Sequence, residues 1–327
     1  FTGANGEQIS GIPINTWEGA PEFSHIELAR GLMSHQMYRS YNSLMEAELA
    51  LLQDIGYDID RRNFYGRTIY RDGLTLANEQ GYSARNSAGT AYVPGYNTAT
   101  YGVGLHVYGS HNNITQKGNI FAKGDAAVGI RVDGLHDTIT VPKGTEVHGD
   151  GTYGAGILVA YGKNHTINVD GTVTANGKGG SGLWLDFGAN PLGTASEYRG
   201  SYMRYKKEVG DDGSVTGYNI GLLEMTHPND DYSFTDLTGG DLNDKMATIN
   251  VTGTIEGRDG GAIYIAEEAF VDNINFNQGA QIKGDIINKW KDFDESTGIY
   301  ASDSYETRTH PRAGYNYYVG GLMLQYD

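Results

Sequence analysis

The feature that most constrains this chain is a repeat with a period in the mid-twenties. Gly104-Leu105-His106-Val107 returns as Gly129-Ile130-Arg131-Val132, Gly156-Ile157-Leu158-Val159 and Gly182-Leu183-Trp184-Leu185, at steps of 25, 27 and 26 residues, and again as Ala262-Ile263-Tyr264-Ile265. A second segment follows each, led by Ile114, Ile139, Ile167, Ile249 or Ile274 and closed by Gly118, Gly144, Gly171, Gly253 or Gly279. A short third segment is centred on Ile120, Val147, Val173, Ile255 or Ile282. Apolar residues alternate within each segment, the period-two pattern of a strand with one buried face. A single winding of three strands cannot bury that face. Stacked at about 4.8 Å, successive windings form one aliphatic column and pair every strand with its counterpart. The expected fold is all-β: a right-handed parallel β-helix with three strands and about 26 residues per rung, the hand following from the general chirality of parallel crossovers. A β-sandwich would instead show turn signals every 8–12 residues or so without in-register recurrence.

The repeat covers residues 101–327, with an insertion at about 190–246. Asp212-Gly213 between strand-like flanks marks that insertion as a β-hairpin. Its expected docking place is the outer column Leu158, Trp184 and Tyr264, too apolar to be left in water; Trp184 and Tyr264 are also candidate binding residues. Residues 66–100 read as irregular first rungs. In residues 1–65 one amphipathic helix is expected over 43–56, where Leu44, Met45, Leu49, Leu52 and Ile55 recur at helical spacing. Ser43 and Glu46 suit its start and Gly56 its end. Such a helix could cap the open end of the column.

Composition narrows function. Lys and Arg number 24 against 40 Asp and Glu, a net charge of −16, which disfavours nucleic acid and anionic membranes as partners. No apolar run approaches the ~18 residues of a membrane span, so no membrane insertion is expected. With no cysteine, disulfides and thiolate chemistry are excluded. The start at Phe1, without a basic and apolar leader, suggests a mature piece of a longer protein.

Few residues suggest chemistry. His111 and His136 occupy equivalent places in successive rungs, with His165 one position out of step, so the first two should stack; with Asp137 they could hold a metal, although a solvated turn needs no such role. Asp230, Asp231, Asp236, Asp241 and Asp244 could bind calcium, but no EF-hand or β-roll spacing is present and a solvated loop is the default. Glu267, Glu268 and Asp272 offer carboxylates for glycan cleavage, yet neighbours on a strand face opposite ways. The many Gly-x-Gly fragments, such as Gly154-Ala155-Gly156, are expected at corners for their backbone angles alone.

Two resemblances extend this reading. Ser24-His25-Ile26-Glu27-Leu28, Leu32-Met33-Ser34-His35 and Glu46-Ala47-Glu48-Leu49 through Asp54-Ile55-Gly56-Tyr57 resemble the C-terminal subdomain of leishmanolysin-like zincin metallopeptidases. By that resemblance His25 would be a zinc ligand and Met33 the methionine of the turn beneath the metal. The His-Glu-x-x-His helix that a zincin requires is absent from this sequence. Together with Asp58-Ile59-Asp60-Arg61-Arg62-Asn63-Phe64-Tyr65-Gly66, Gly81-Tyr82-Ser83-Ala84-Arg85-Asn86 and rungs such as Val103-Gly104-Leu105-His106-Val107-Tyr108-Gly109, the chain resembles passenger regions of bacterial autotransporters. That implies export, display at the bacterial surface or release, and a separate C-terminal barrel. The expected function is a rigid stalk or adhesin without turnover or cofactor, binding a host surface protein or glycan or self-associating into fibres. The alternatives are the tail of a secreted zinc peptidase and a glycan-active β-helix enzyme.

Overall fold

Three parallel sheets carry the repeat, and the chain visits them in turn. The computed structural model describes residues 2–4, 12–17, 20–26, 28, 31–33, 43–186, 201–226, 245–267, 269–290, 293–294, 299–300 and 323–326. In the first sheet, Tyr65–Ile69, Val103–Val107, Val128–Val132, Ala155–Val159, Ser181–Leu185, Ile263–Ile265 and Ile286–Asn288 lie side by side. The second joins Thr75–Asn78, Asn113–Gln116, Thr138–Val141, His165–Val169, Ala247–Val251, Asn273–Phe276 and Met323–Tyr326. The third joins Ile120–Ala122, Glu146–Gly149, Thr172–Ala175, Thr254–Gly257 and Gln281–Lys283. Equivalent repeat residues pair directly: Ile130 with Leu105 and Ile157, Ile139 with Ile114 and Ile167, Val147 with Ile120 and Val173. The architecture is therefore all-β and mainly parallel.

The inward residues of the three sheets meet in one core, running from Ile69 and Leu105 through Ile130, Ile157, Leu183 and Ile263 to Ile274 and Phe276. Burial at about 25 cal/mol per Å² of apolar surface makes this core the main source of stability. The glycines that open the first-sheet motif are fixed by that packing. A methyl group added at Gly129 would lie 2.5 Å from Cγ1 of Val147, and at Gly156 it would lie 2.5 Å from Cγ1 of Val173. The same methyl groups would lie 2.4 Å from Gly156 O and 2.6 Å from Gly182 O on the neighbouring strands, and neither glycine has a positive φ, so close approach to the third sheet and to the next strand, and not backbone angle, excludes a side chain there.

Corners show the opposite case. His111, His136 and Asn164 adopt left-handed φ of 58°, 57° and 58°, as do Tyr101, Ala126 and Tyr153 at 57°, 52° and 54°. Each set stacks, the N–H of His111 donating to Leu135 O and that of His136 to Lys163 O. Bonding to the next winding offsets the strain of left-handed non-glycine residues.

The helix spans Glu46–Asp54 (α1), shorter than the expected 43–56. Met45 stands at its N-cap, where the Glu48 carboxylate accepts the Met45 N–H, and Gly56 follows its end at φ 104°. Ser43 instead accepts a hydrogen bond from Arg131 Nη1 at 3.2 Å. Nor does α1 cap the core. Leu49 packs on the outer face of the first sheet with Tyr65, Val103, Val128, Ala155 and Leu158, flanked by Leu44, Leu52 and Trp184. In the first repeat, beside the inward Ile69 and Tyr82, polar residues are linked together: Arg67 pairs in register with Leu105 and donates to Asn78 Oδ1 at 3.1 Å, and Asn78 donates to Gln116 Oε1 at 2.7 Å. A hydrogen-bonded plug thus lies where the aliphatic column begins.

The insertion contains Ser201–Val209 and Val215–Thr226, paired antiparallel about a tip with Gly213 at φ 83°. Its first strand pairs antiparallel with Pro13–Trp17, which in turn pairs with Ala20–Ile26. Leu158 and Trp184 of the outer apolar column pack in one cluster with Leu49 of α1, while residues 187–200 and 227–244 of the insertion expected to dock there lie outside the described residues.

Candidate functional site

Because α1 covers the first sheet, polar residues expected to face water are buried. His106 and Arg131 pair across neighbouring strands on the outer face. Asp133 Oδ2 lies 2.7 Å from His106 Nε2 and accepts from Arg131 Nε at 3.0 Å, all three being sealed from solvent. The rings of Tyr65, Tyr70 and Tyr108 surround His106 at 6.0, 6.3 and 5.9 Å. From the helix side, Glu48 accepts the Met33 N–H at 2.6 Å, and burial pushes its carboxyl above the ordinary range against the pull of those N–H groups and Arg131. Glu46 is also raised by burial while pairing with Arg61 at 3.1 Å. Tyr65 donates to Leu44 O at 2.7 Å, and Tyr70 accepts from the Ala47 N–H at 3.1 Å. This cluster ties the N-terminal segment to the first three windings.

The second cluster lies at the surface, on the outer face of the third sheet. Phe121, His148, Thr174 and Glu256 follow one another in register on neighbouring strands. Asp150 Oδ2 sits 2.8 Å from His148 Nδ1 and Glu146 Oε2 sits 3.2 Å from Nε2. Thr174 Oγ1 and the Asn176 N–H each donate to Asp150 Oδ1 at 2.9 Å, and Tyr96 donates to Oδ2 at 3.2 Å. Burial opposes the His148 charge, but bonds and charges from Asp150 and then Glu146 outweigh it and hold the imidazole above its usual value. Asp150 is likewise opposed by burial, yet the donors around it, His148 first, hold it below the usual carboxylate range. With a carboxylate on each nitrogen, the charged form of His148 is favoured and both nitrogens are engaged in hydrogen bonds. The arrangement orients Tyr96, an exposed ring edge-on to Phe121 at 5.6 Å, and is suited to holding a partner.

The remaining candidates fall elsewhere. His111 and His136 stack with centroids 4.9 Å apart and planes 6° from parallel. Both are exposed, while Asp137 is buried and accepts the Asn112 N–H at 2.9 Å, so the carboxylate serves the corner. His136 is lowered by burial and by the neighbouring charges of His111 and Lys163. His165 is buried; burial pushes it down to about 4, and as a neutral ring it binds Tyr161 O through Nε2 at 2.8 Å and the Asp137 N–H through Nδ1 at 3.1 Å. His25 lies exposed in Ala20–Ile26, and Met33 contributes its backbone N–H to Glu48. Among the described residues no three His, Asp or Glu are grouped to hold a metal. The acidic run Asp230 to Asp244 and Glu268 lie outside the described residues. Glu267 is exposed, and Asp272 lies 4.0 Å from Lys245. Trp184 and Tyr264 meet edge to face at 5.8 Å, half-buried.

Both clusters were missed at the level of sequence, though signals existed. Arg131 occupies the column of Leu158, Trp184 and Tyr264, whose apolar character already demanded a cover. The pattern Glu146-x-His148-x-Asp150 places three polar side chains on one face of a strand and its corner. Comparison with protein-family models, curated proteins and solved structures found no match for this chain.

Proposed function

We propose that this chain is a segment of an exported, surface-displayed stalk with an adhesive face, folded as a right-handed parallel β-helix, as its resemblance to autotransporter passengers implies. The observation that carries the reading is the register. Five to seven strands per sheet pair with their repeat equivalents, and chain order takes successive windings through first, second and third sheet. A closed coil is the simplest path joining them, and it makes a stiff, extendable body. The third-sheet face, with Tyr96, Phe121 and the fixed His148 cluster, supports binding over turnover. Adhesion is tested by titrating purified, labelled chain onto epithelial cells and onto the same cells stripped of surface glycans. Saturable binding is the expected result; none to either would refute the adhesive reading.

A further inference from the structure

The three sheets differ sharply in what they turn outward. The first offers His106, Arg131, Leu158 and Trp184, which pair in register and lie under or beside α1. The third offers Phe121, His148, Thr174, Glu256 and Lys283. Five successive strands of the second offer two side chains each: Asn113 and Thr115, Thr138 and Thr140, Thr166 and Asn168, Thr248 and Asn250, Asn273 and Asn275. All are threonine or asparagine and all reach solvent at least in part. None is charged in a chain of net charge −16. Charged residues are the ordinary means of keeping a flat face from stacking on others, so their uniform absence over five strands is not what solubility alone would favour.

The array is also fixed. Asn275 Nδ2 donates to Asn250 Oδ1 at 2.7 Å, Asn250 Nδ2 to Asn168 Oδ1 at 2.9 Å, and Asn168 Nδ2 to Thr140 Oγ1 at 3.2 Å. Each amide uses one N–H along the ladder and keeps a second N–H and a further lone pair for a partner. The ladder accounts for the asparagine column but leaves the adjoining hydroxyls of Thr138, Thr166 and Thr248 outside it. Rows repeat at about 4.8 Å across strands and about 6.6 Å along them. Such a surface matches a partner that is extended, periodic, uncharged and itself both donor and acceptor.

We infer that the outer face of the second sheet is a binding face for an extended, uncharged glycan lying across the strands. The inference rests on the adhesive reading above and adds to it a second face, apart from the third-sheet cluster, with the chemistry of its partner. Side chains held in place by the ladder lose little freedom on binding, which favours affinity from many modest hydrogen bonds.

The test is retention of the full chain on insoluble chitin, cellulose and β-1,3-glucan, with heparin as the charged control. Wild type is compared with T166K/T248K, with T138V/T166V/T248V, which removes hydroxyls but keeps β-branched shape, and with D211K at the exposed tip of the insertion, off both faces. The expected result is retention on at least one neutral polymer, largely insensitive to salt, lost about tenfold or more in both second-sheet variants and unchanged in D211K. Retention on heparin alone, equal retention of the valine variant, or no retention on any neutral polymer would overturn it. Dimerisation abolished by T166K/T248K would assign the face to a second copy, and freezing-point hysteresis without glycan retention would assign it to ice; either overturns the inference. Cell binding that survives both second-sheet variants would leave the adhesive reading standing while this one fails.

Discussion

At the scale of single residues, position in the winding decides what a side chain means. Gly129 and Gly144 illustrate it. The first faces the third sheet at contact distance, whereas the second has φ 89° and open space around its would-be methyl group. Gly129→Ala is expected to cost about 1–3 kcal/mol through overpacking, and Gly144→Ala a comparable amount through backbone strain alone. Urea midpoints measure both; Val147→Ala relieves the Cγ1 contact but leaves Gly156 O at 2.4 Å, so it should show a favourable coupling energy with Gly129→Ala and none with Gly144→Ala. His148 and Asp150 predict a pH signature. A histidine raised on folding stabilises fully below its unfolded value of about 6.5 and loses that contribution as pH rises through its folded value. A lowered aspartate stabilises above about 3.9 and loses its contribution as pH falls through its folded value. The stability difference between wild type and His148→Gln should therefore be largest between about pH 4 and 6.5, on the order of 1–2 kcal/mol, and shrink toward pH 8. A difference that grows on the alkaline side would contradict the assigned cluster. Sequence revealed the stacking of His111 on His136 because equivalent places in neighbouring windings must adjoin. It did not reveal why Gly129 is glycine, since the clashing atoms belong to the next strand and to another sheet, Gly156 O and Val147 Cγ1.

Among elements, α1 bears the largest gap between pattern and placement. Its spacing of apolar residues was readable, as was the need for something to cover Leu158 and Trp184. Alternation alone assigns His106 and Arg131 to water, and only the docking of a distant segment makes them buried. Their cluster predicts a test of that docking. Arg131→Met removes the guanidinium and leaves Asp133 buried beside His106, an imbalance expected to cost about 3–5 kcal/mol in denaturant unfolding. Replacing Asp133 with Leu as well should recover much of the loss, because an apolar pair of similar volume avoids burying charge. If the single substitution were neutral, α1 would not seal that face in solution. The insertion teaches the complementary lesson. Its turn at Asp212-Gly213 is local and legible, but its partner strand, Pro13–Trp17, lies far away in sequence and no local signal names it.

For the whole molecule, the period near 26 residues was the most legible feature because most repeats meet the same physical requirement: two inward aliphatics per long strand, a close glycine and a corner. The polar plug of Arg67, Asn78 and Gln116 was not legible, since residues 66–100 depart from the period that identifies inward places. The central claim is that repeat equivalents stack in parallel, one strand spacing per winding. Thr115, Thr140, Asn168, Asn250 and Asn275 are neighbours in that order, so 160 residues of sequence (275 − 115) should span four spacings. Because the chain has no cysteine, nitroxide labels can be placed at Thr115 and Asn275 alone. Their separation by pulsed electron resonance should centre near 19 Å, four times about 4.8 Å, within the reach of the labels. A broad distribution or a centre beyond about 30 Å would contradict the stacked register.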